Sequence, residues 1–140
     1  TPHDIYDRPA TTFVAQLVGT PRINLLAAGH EDGSLFVPNS PIRLPVPGTH
    51  DSLGAATLPS SFVLGVRPED LLPQSNGAFV GEVMLVEPLG VETIVHIKAG
   101  EHTLLSMVPG MTTLRIGDQV HFNIARDRLH YFRVDGTRVT

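Results

Sequence analysis

Between Phe79 and Ile97 the chain reads FVGEVMLVEPLGVETIVHI, two apolar runs separated by a short interruption. Val80, Val83, Leu85 and Val86 give the first run the β-branched and aliphatic character of a strand. Pro88-Leu89-Gly90 then breaks it with one residue that cannot donate to a ladder and one that turns freely. In the second run Val91, Thr93, Val95 and Ile97 share one side at period two, and Glu92, Ile94 and His96 share the other. The pattern predicts a β-hairpin with one face in a core. Glu87 and Glu92 flank the turn, so its corner is expected to face water.

The same texture extends over most of the chain. Ile23–Ala27 and Leu35–Val37 are expected to be strands on either side of a His30-Glu31-Asp32-Gly33 turn. Four prolines between Pro38 and Gly48 reduce the Ile42–Val46 alternation to an edge strand or loop. His50–Pro59 reads as a loop with a helical turn at Ser52–Ala56. Ser61–Val66 is a buried strand ended by Pro68, which holds Arg67 extended and puts its guanidinium at the strand end. Leu71–Asn76 reads as a turn, and His102–Val108 as a strand. Val120, Phe122 and Ile124 alternate with His121 and Asn123, Arg126-Asp127-Arg128 turns, and Leu129–Val134 is a last strand before an Asp135-Gly136 turn. Phe62, Phe79, Phe122 and Phe132 read as core. Short strands roughly ten residues apart, with turn signals between them, predict a mainly β fold of small barrel or sandwich type.

The beginning is different. Thr1-Pro2 and Pro9 offer helix starts, Phe13, Val14 and Leu17 fall on one helical face, and Gly19 stops the run. A helix this short needs a surface to rest on. Together with the absence of an initiator Met, it suggests a piece cut from a longer protein.

Composition narrows the function. With 140 residues the chain suits one domain or two small β modules, and its 13 Gly and 12 Pro fit strands and turns better than long helices. No cysteine is present, which removes disulfide and thiolate chemistry. A net charge of −4 and a single lysine, Lys98, argue against a nucleic-acid surface. No apolar run reaches membrane-spanning length and no signal-peptide pattern opens the chain, so a soluble protein is expected. Neither a phosphate-cradling G-x-x-x-x-G-K-[ST] nor a G-x-G-x-x-G occurs, and Ser60-Ser61 lacks nucleophile-elbow spacing. His96, His102, His121 and His130 are spread one per strand, without the i, i+4 spacing of a helical zinc site and with no acidic ligand placed beside them. No catalytic, cofactor or metal residue is therefore assigned. Arg67 and Glu69 form a candidate contact pair; the alternative is that they cap a strand end locally.

Four stretches resemble a known family in its own order. TPHDIYDRPATTFVAQLVGTPRINLL is similar to the junction after the nucleotide-binding domain in ATP-binding subunits of carbohydrate-type ABC importers, of the maltose and glycerol-phosphate kind. GVRPED resembles the family's strand-plus-RPE motif, VGEVMLVEPLGVETIVHI its hairpin, and IGDQVHFNIARDRLHYF its ending. The resemblance covers nearly the whole chain. Pro38–Pro59 departs most, and Arg133 stands where the family often has an acidic residue.

The resemblance implies the C-terminal regulatory domain of such a subunit, of the transport-associated oligonucleotide-binding-fold (TOBE) type, built from OB-fold-like small β barrels as two interleaved modules. Residues 1–19 would be the helical end of the missing nucleotide-binding domain. Residues 20–140 would be the regulatory domain, with 20–76 and 129–140 in one barrel and 77–128 in the other. ATP and Mg would belong to the upstream domain, so this fragment would not be an enzyme. The implied partners are a second copy in a homodimer, membrane permease subunits and a regulatory protein, but no nucleic acid. The implied place is cytoplasmic, at the inner face of the plasma membrane. Candidate contact residues are Arg67 and Glu69 at the strand end and Glu87, Leu89, Gly90 and Glu92 at the hairpin corner, against the plain reading of a solvated turn. The competing function is an oxyanion-binding module for molybdate or tungstate.

Overall fold

The computed structural model describes residues 22–46 and 58–139. The expected helix before Gly19 and the turn at Ser52–Ala56 lie outside the described residues. The fold is mainly β, and the helical content of the described residues is two 3-10 turns, Pro68–Asp70 and Arg126–Arg128.

Among the described residues, ten strands form two antiparallel sheets. The first holds β1 (Asn24–Glu31), β2 (Ser34–Phe36), β3 (Arg43–Pro45), β4 (Ser61–Val66) and β10 (His130–Phe132), in the order β10-β4-β1-β2-β3. The second holds β5 (Leu71–Pro73), β6 (Phe79–Pro88), β7 (Glu92–Ala99), β8 (His102–Pro109) and β9 (Gln119–Ile124), in the order β5-β9-β6-β7-β8. β1 and β2 are joined by the two-residue Asp32-Gly33 loop, with both residues at positive φ, the geometry that matches the twist of a hairpin. Proline-bounded β3 is an edge strand, the first of the two outcomes its sequence allowed.

The predicted hairpin is β6 and β7, paired from Glu82↔Lys98 to Pro88↔Thr93 with a bulge between Val83 and Leu85. Thr93, Val95 and Ile97 are buried as the alternation requires. Val91, expected on that face, is instead 85% exposed, because β7 begins only at Glu92 and Val91 still belongs to the corner. Leu71–Asn76, expected as a turn, begins with β5, whose three residues pair with Ile124, Asn123 and Phe122 of β9. The period-two reading of β9 holds, with Val120, Phe122 and Ile124 buried and His121 and Asn123 half-buried.

Buried polar groups tie the sheets together. The Ser106 hydroxyl on β8 donates to the Leu71 carbonyl on β5 at 2.6 Å, drawing the two end strands of the second sheet together into a nearly closed, OB-like barrel. Asn24, 7% exposed, donates to the carbonyls of Val66 at 3.0 Å and Leu105 at 2.9 Å, and accepts from the Leu105 N–H at 2.7 Å. Buried amides are tolerated when satisfied in this way. One hydrophobic core runs through both sheets, from Leu26 and Leu64 to Val95, Ile97 and Phe122. A second seam forms where the 38–40 loop lies on the β7–β8 turn. Glu101 N–H donates to the Asn39 carbonyl at 2.8 Å, and His102 Nε2 to that of Pro38 at 2.8 Å. Gly100 sits there at φ +63°, and a Cβ on it would stand 2.0 Å from the Asn39 carbonyl oxygen.

Candidate functional site

Two places carry the residues singled out by sequence. The first is the bend between β4 and β5. Arg67 has extended dihedrals, φ −69° and ψ 145°, as the following proline requires. The Asp70 N–H then closes the 3-10 turn onto the Arg67 carbonyl at 2.9 Å, and the Asp70 carbonyl accepts from Ala125 N–H at 2.9 Å. Arg67 is at the strand end, but only 3% exposed; Glu69 is half-buried. Asp70, which the sequence reading did not single out, is 5% exposed and accepts from Arg128 Nε at 2.8 Å through Oδ1. Burial pushes the Asp70 carboxyl above its ordinary range; Glu69 adds to this, while Arg128 and Arg67 pull the other way. The bend is thus a charged cluster turned inward and packed against β8.

The second is the β6–β7 corner. The Leu89 N–H donates to the Glu92 carbonyl at 2.8 Å and closes the turn, and Gly90 takes φ +97° with open space around it. Leu89 is 53% exposed, Glu87 is exposed and Glu92 half-buried. Contrary to the expectation that no acid stands beside the histidines, His96 Nε2 meets the Glu87 carboxylate, a diagonal cross-strand contact on one face of the hairpin.

The end of β8 joins this corner. Gly110 N–H donates to the Val91 carbonyl at 2.7 Å, and the Thr93 hydroxyl donates to the Gly110 carbonyl at 2.8 Å. Next to Gly110, Met111 is 87% exposed. Leu89, Val91 and Met111 therefore put exposed apolar side chains on two connected turns, with Glu87 and Glu92 beside them. Sequence reading found Leu89 but missed the other two. The Pro109-Gly110 pair was the available signal that Met111 leaves its strand. Both places adjoin β8, the bend packing against it and the corner hydrogen-bonded to its far end.

Among the described residues, no group of three or more His, Asp and Glu is arranged to hold a metal ion, and no helix is long and apolar enough to cross a membrane.

Comparison with known proteins agrees with the geometry. The TOBE domain model matches residues 64–132, from β4 through β10. The sn-glycerol-3-phosphate import ATP-binding protein UgpC of Ruegeria pomeroyi is 34% identical over 134 residues, covering 94% of this chain and 36% of that protein. UgpC 3 of Agrobacterium fabrum is 34% identical over 146 residues, covering 99% and 38%. The uncharacterized ABC transporter ATP-binding protein YurJ of Bacillus subtilis is 34% identical over 143 residues, covering 94% and 38%. The chain thus spans little more than a third of the length of the curated relatives it matches. With its OB-like β architecture and its motif order, the chain carries a TOBE domain over residues 64–132 and is similar over nearly all of its length to ABC importer ATP-binding proteins.

Proposed function

We propose that this chain is the regulatory and contact-making portion of the ATP-binding subunit of an importer for sugars, polyols or glycerol phosphates. In this reading residues 1–19 end a nucleotide-binding domain that holds ATP and Mg, and residues 20–140 form a domain without ATPase activity of its own. The parent works as a homodimer docked on permease subunits at the cytoplasmic face of the membrane, and the domain holds subunits or a regulatory protein in register. The observation that supports a contact role is the corner itself. Leu89 and Val91 are exposed on a turn closed by its own backbone hydrogen bond, so a partner meets preformed apolar surface and little ordering entropy is lost on docking. Glu87 and Glu92 add a charge pattern that favours a basic counterpart.

The test uses the full-length subunit with its permeases. Leu89→Glu combined with Val91→Glu is expected to weaken subunit association or regulator binding at least tenfold, about 1.4 kcal/mol, measured by sedimentation and by permease-stimulated ATP hydrolysis. Unchanged sedimentation, unchanged hydrolysis and unchanged regulator binding would remove the corner from the contact surface.

A further inference from the structure

A cleft of about 490 Å³ opens at one end of the second barrel, where β5 and β8 diverge beyond the Ser106–Leu71 hydrogen bond. Its walls are the Pro73–Ser75 segment on one side and Val108–Leu114 on the other, and its floor is Gln119–His121 of β9. The volume lies in the range of small-molecule sites. Barrel mouths are a common place for such sites because the strands stop pairing there while their ends stay fixed.

The lining decides the ligand class. No Lys, Arg, Asp or Glu is among the residues that line the cleft, so an anion or cation entering it would lose hydration without gaining a counter-charge. What the walls offer are groups that both donate and accept: the amides of Gln74 and Gln119, the Thr112 hydroxyl and the His121 imidazole. Between them lie the apolar surfaces of Met111 and Leu114. One of these amides is already oriented. Asn123 Nδ2 donates to Gln74 Oε1 at 2.7 Å, and Gln74 N–H donates to the His121 carbonyl at 2.9 Å. The Gln74 side chain is thereby held through its amide oxygen. A molecule that alternates hydroxyls with C–H faces matches such walls, whose one aromatic ring is the His121 imidazole.

We infer that this cleft is a binding site for an uncharged polyhydroxy compound of monosaccharide or polyol size. The inference does not rest on the contact role of the corner, although Met111 borders both surfaces. Loss of assembly in the corner variant tests that role, and binding to the isolated chain tests this one.

The experiment titrates the 15N-labelled 140-residue chain with glucose, xylitol and sorbitol up to about 50 mM, beyond the millimolar range of weak binding. Glycerol 3-phosphate and molybdate serve as charged comparators. The expected result is saturable amide shifts at 73–75, 108–114 and 119–121 with at least one neutral compound and not with the anions. Gln119→Ala is expected to weaken that binding about three- to tenfold, the worth of one hydrogen bond. Met111→Glu, at an exposed rim position that no core contact requires, is expected to weaken it as well, and serves if the first variant does not fold. The inference is overturned if no neutral compound gives saturable shifts, if either anion binds more tightly at the same residues, or if the folded variants bind as the parent does.

Discussion

The β4–β5 bend and the β6–β7 corner invert what residue type alone suggests. The bend is written in charges, Arg67-Pro68-Glu69-Asp70, yet Arg67 and Asp70 are buried. The corner is written partly in aliphatics, yet Leu89 and Val91 face solvent. The difference is one of role. A charged group is kept inside only where other groups hold it, and removing any of them leaves a desolvated charge behind. An aliphatic group is kept outside at little cost to folding, since isolated exposed apolar residues are ordinary. The charges of the bend are therefore held by the fold, while the aliphatics of the corner stay in solvent.

Arg67→Ala should break this contrast most severely. It removes a buried cation whose charge favours the Asp70 carboxylate, and a loss of about 3 kcal/mol is expected in urea unfolding. An effect under about 0.5 kcal/mol, the size of an ordinary surface change, would move Arg67 back to a surface role.

Asp70→Asn gives a smaller change with a distinctive pH signature. Because the folded carboxyl titrates above its ordinary value of 3.8, the folded state binds the proton more tightly than the unfolded chain. Asp70 then contributes stability as the pH falls through the folded value towards 3.8, and loses that contribution as the pH rises. Asparagine keeps an oxygen for Arg128, so the variant should lie within about 1 kcal/mol of the parent at neutral pH. It should be relatively most stable there, and lose that advantage on acidification. An advantage that instead grew on acidification would reverse the sign of the burial effect.

The smallest effect is expected at the corner. Leu89→Ser with Val91→Ser should leave the unfolding midpoint within about 0.5 kcal/mol of the parent. A cost of about 2 kcal/mol or more would mean that the corner is packed, not presented.

Sequence reading succeeded where the forces are local. Alternation over Val120–Ile124 placed the core face of β9 correctly, the expected His30–Gly33 turn contains the Asp32-Gly33 loop between β1 and β2 although His30 and Glu31 continue β1, and Pro88-Leu89-Gly90 located the corner, because each depends on neighbours within a few residues. It failed where the partner is distant. β5 looked like a turn because Pro73 and the polar Gln74-Ser75-Asn76 outweigh two leucines, and only pairing with Ile124, Asn123 and Phe122 makes it a strand. Asn24 and Ser106 gave no signal, since their roles lie in bonds to Leu105 and Leu71 that only the fold creates. The candidate sites divide in the same way. Their backbone positions were legible from proline and glycine, but the inward turn of Arg67 and the exposure of Val91 were not.

The bare backbone of Gly100 has a mechanical meaning. Where the Asn39 carbonyl comes within 2.0 Å of the place a methyl would occupy, the two sheets mesh like gear teeth with no clearance, and neither slides past the other without lifting that loop. Any side chain at position 100 would pry that loop from the β7–β8 turn, so the fit between the two sheets depends on an atom that is not there.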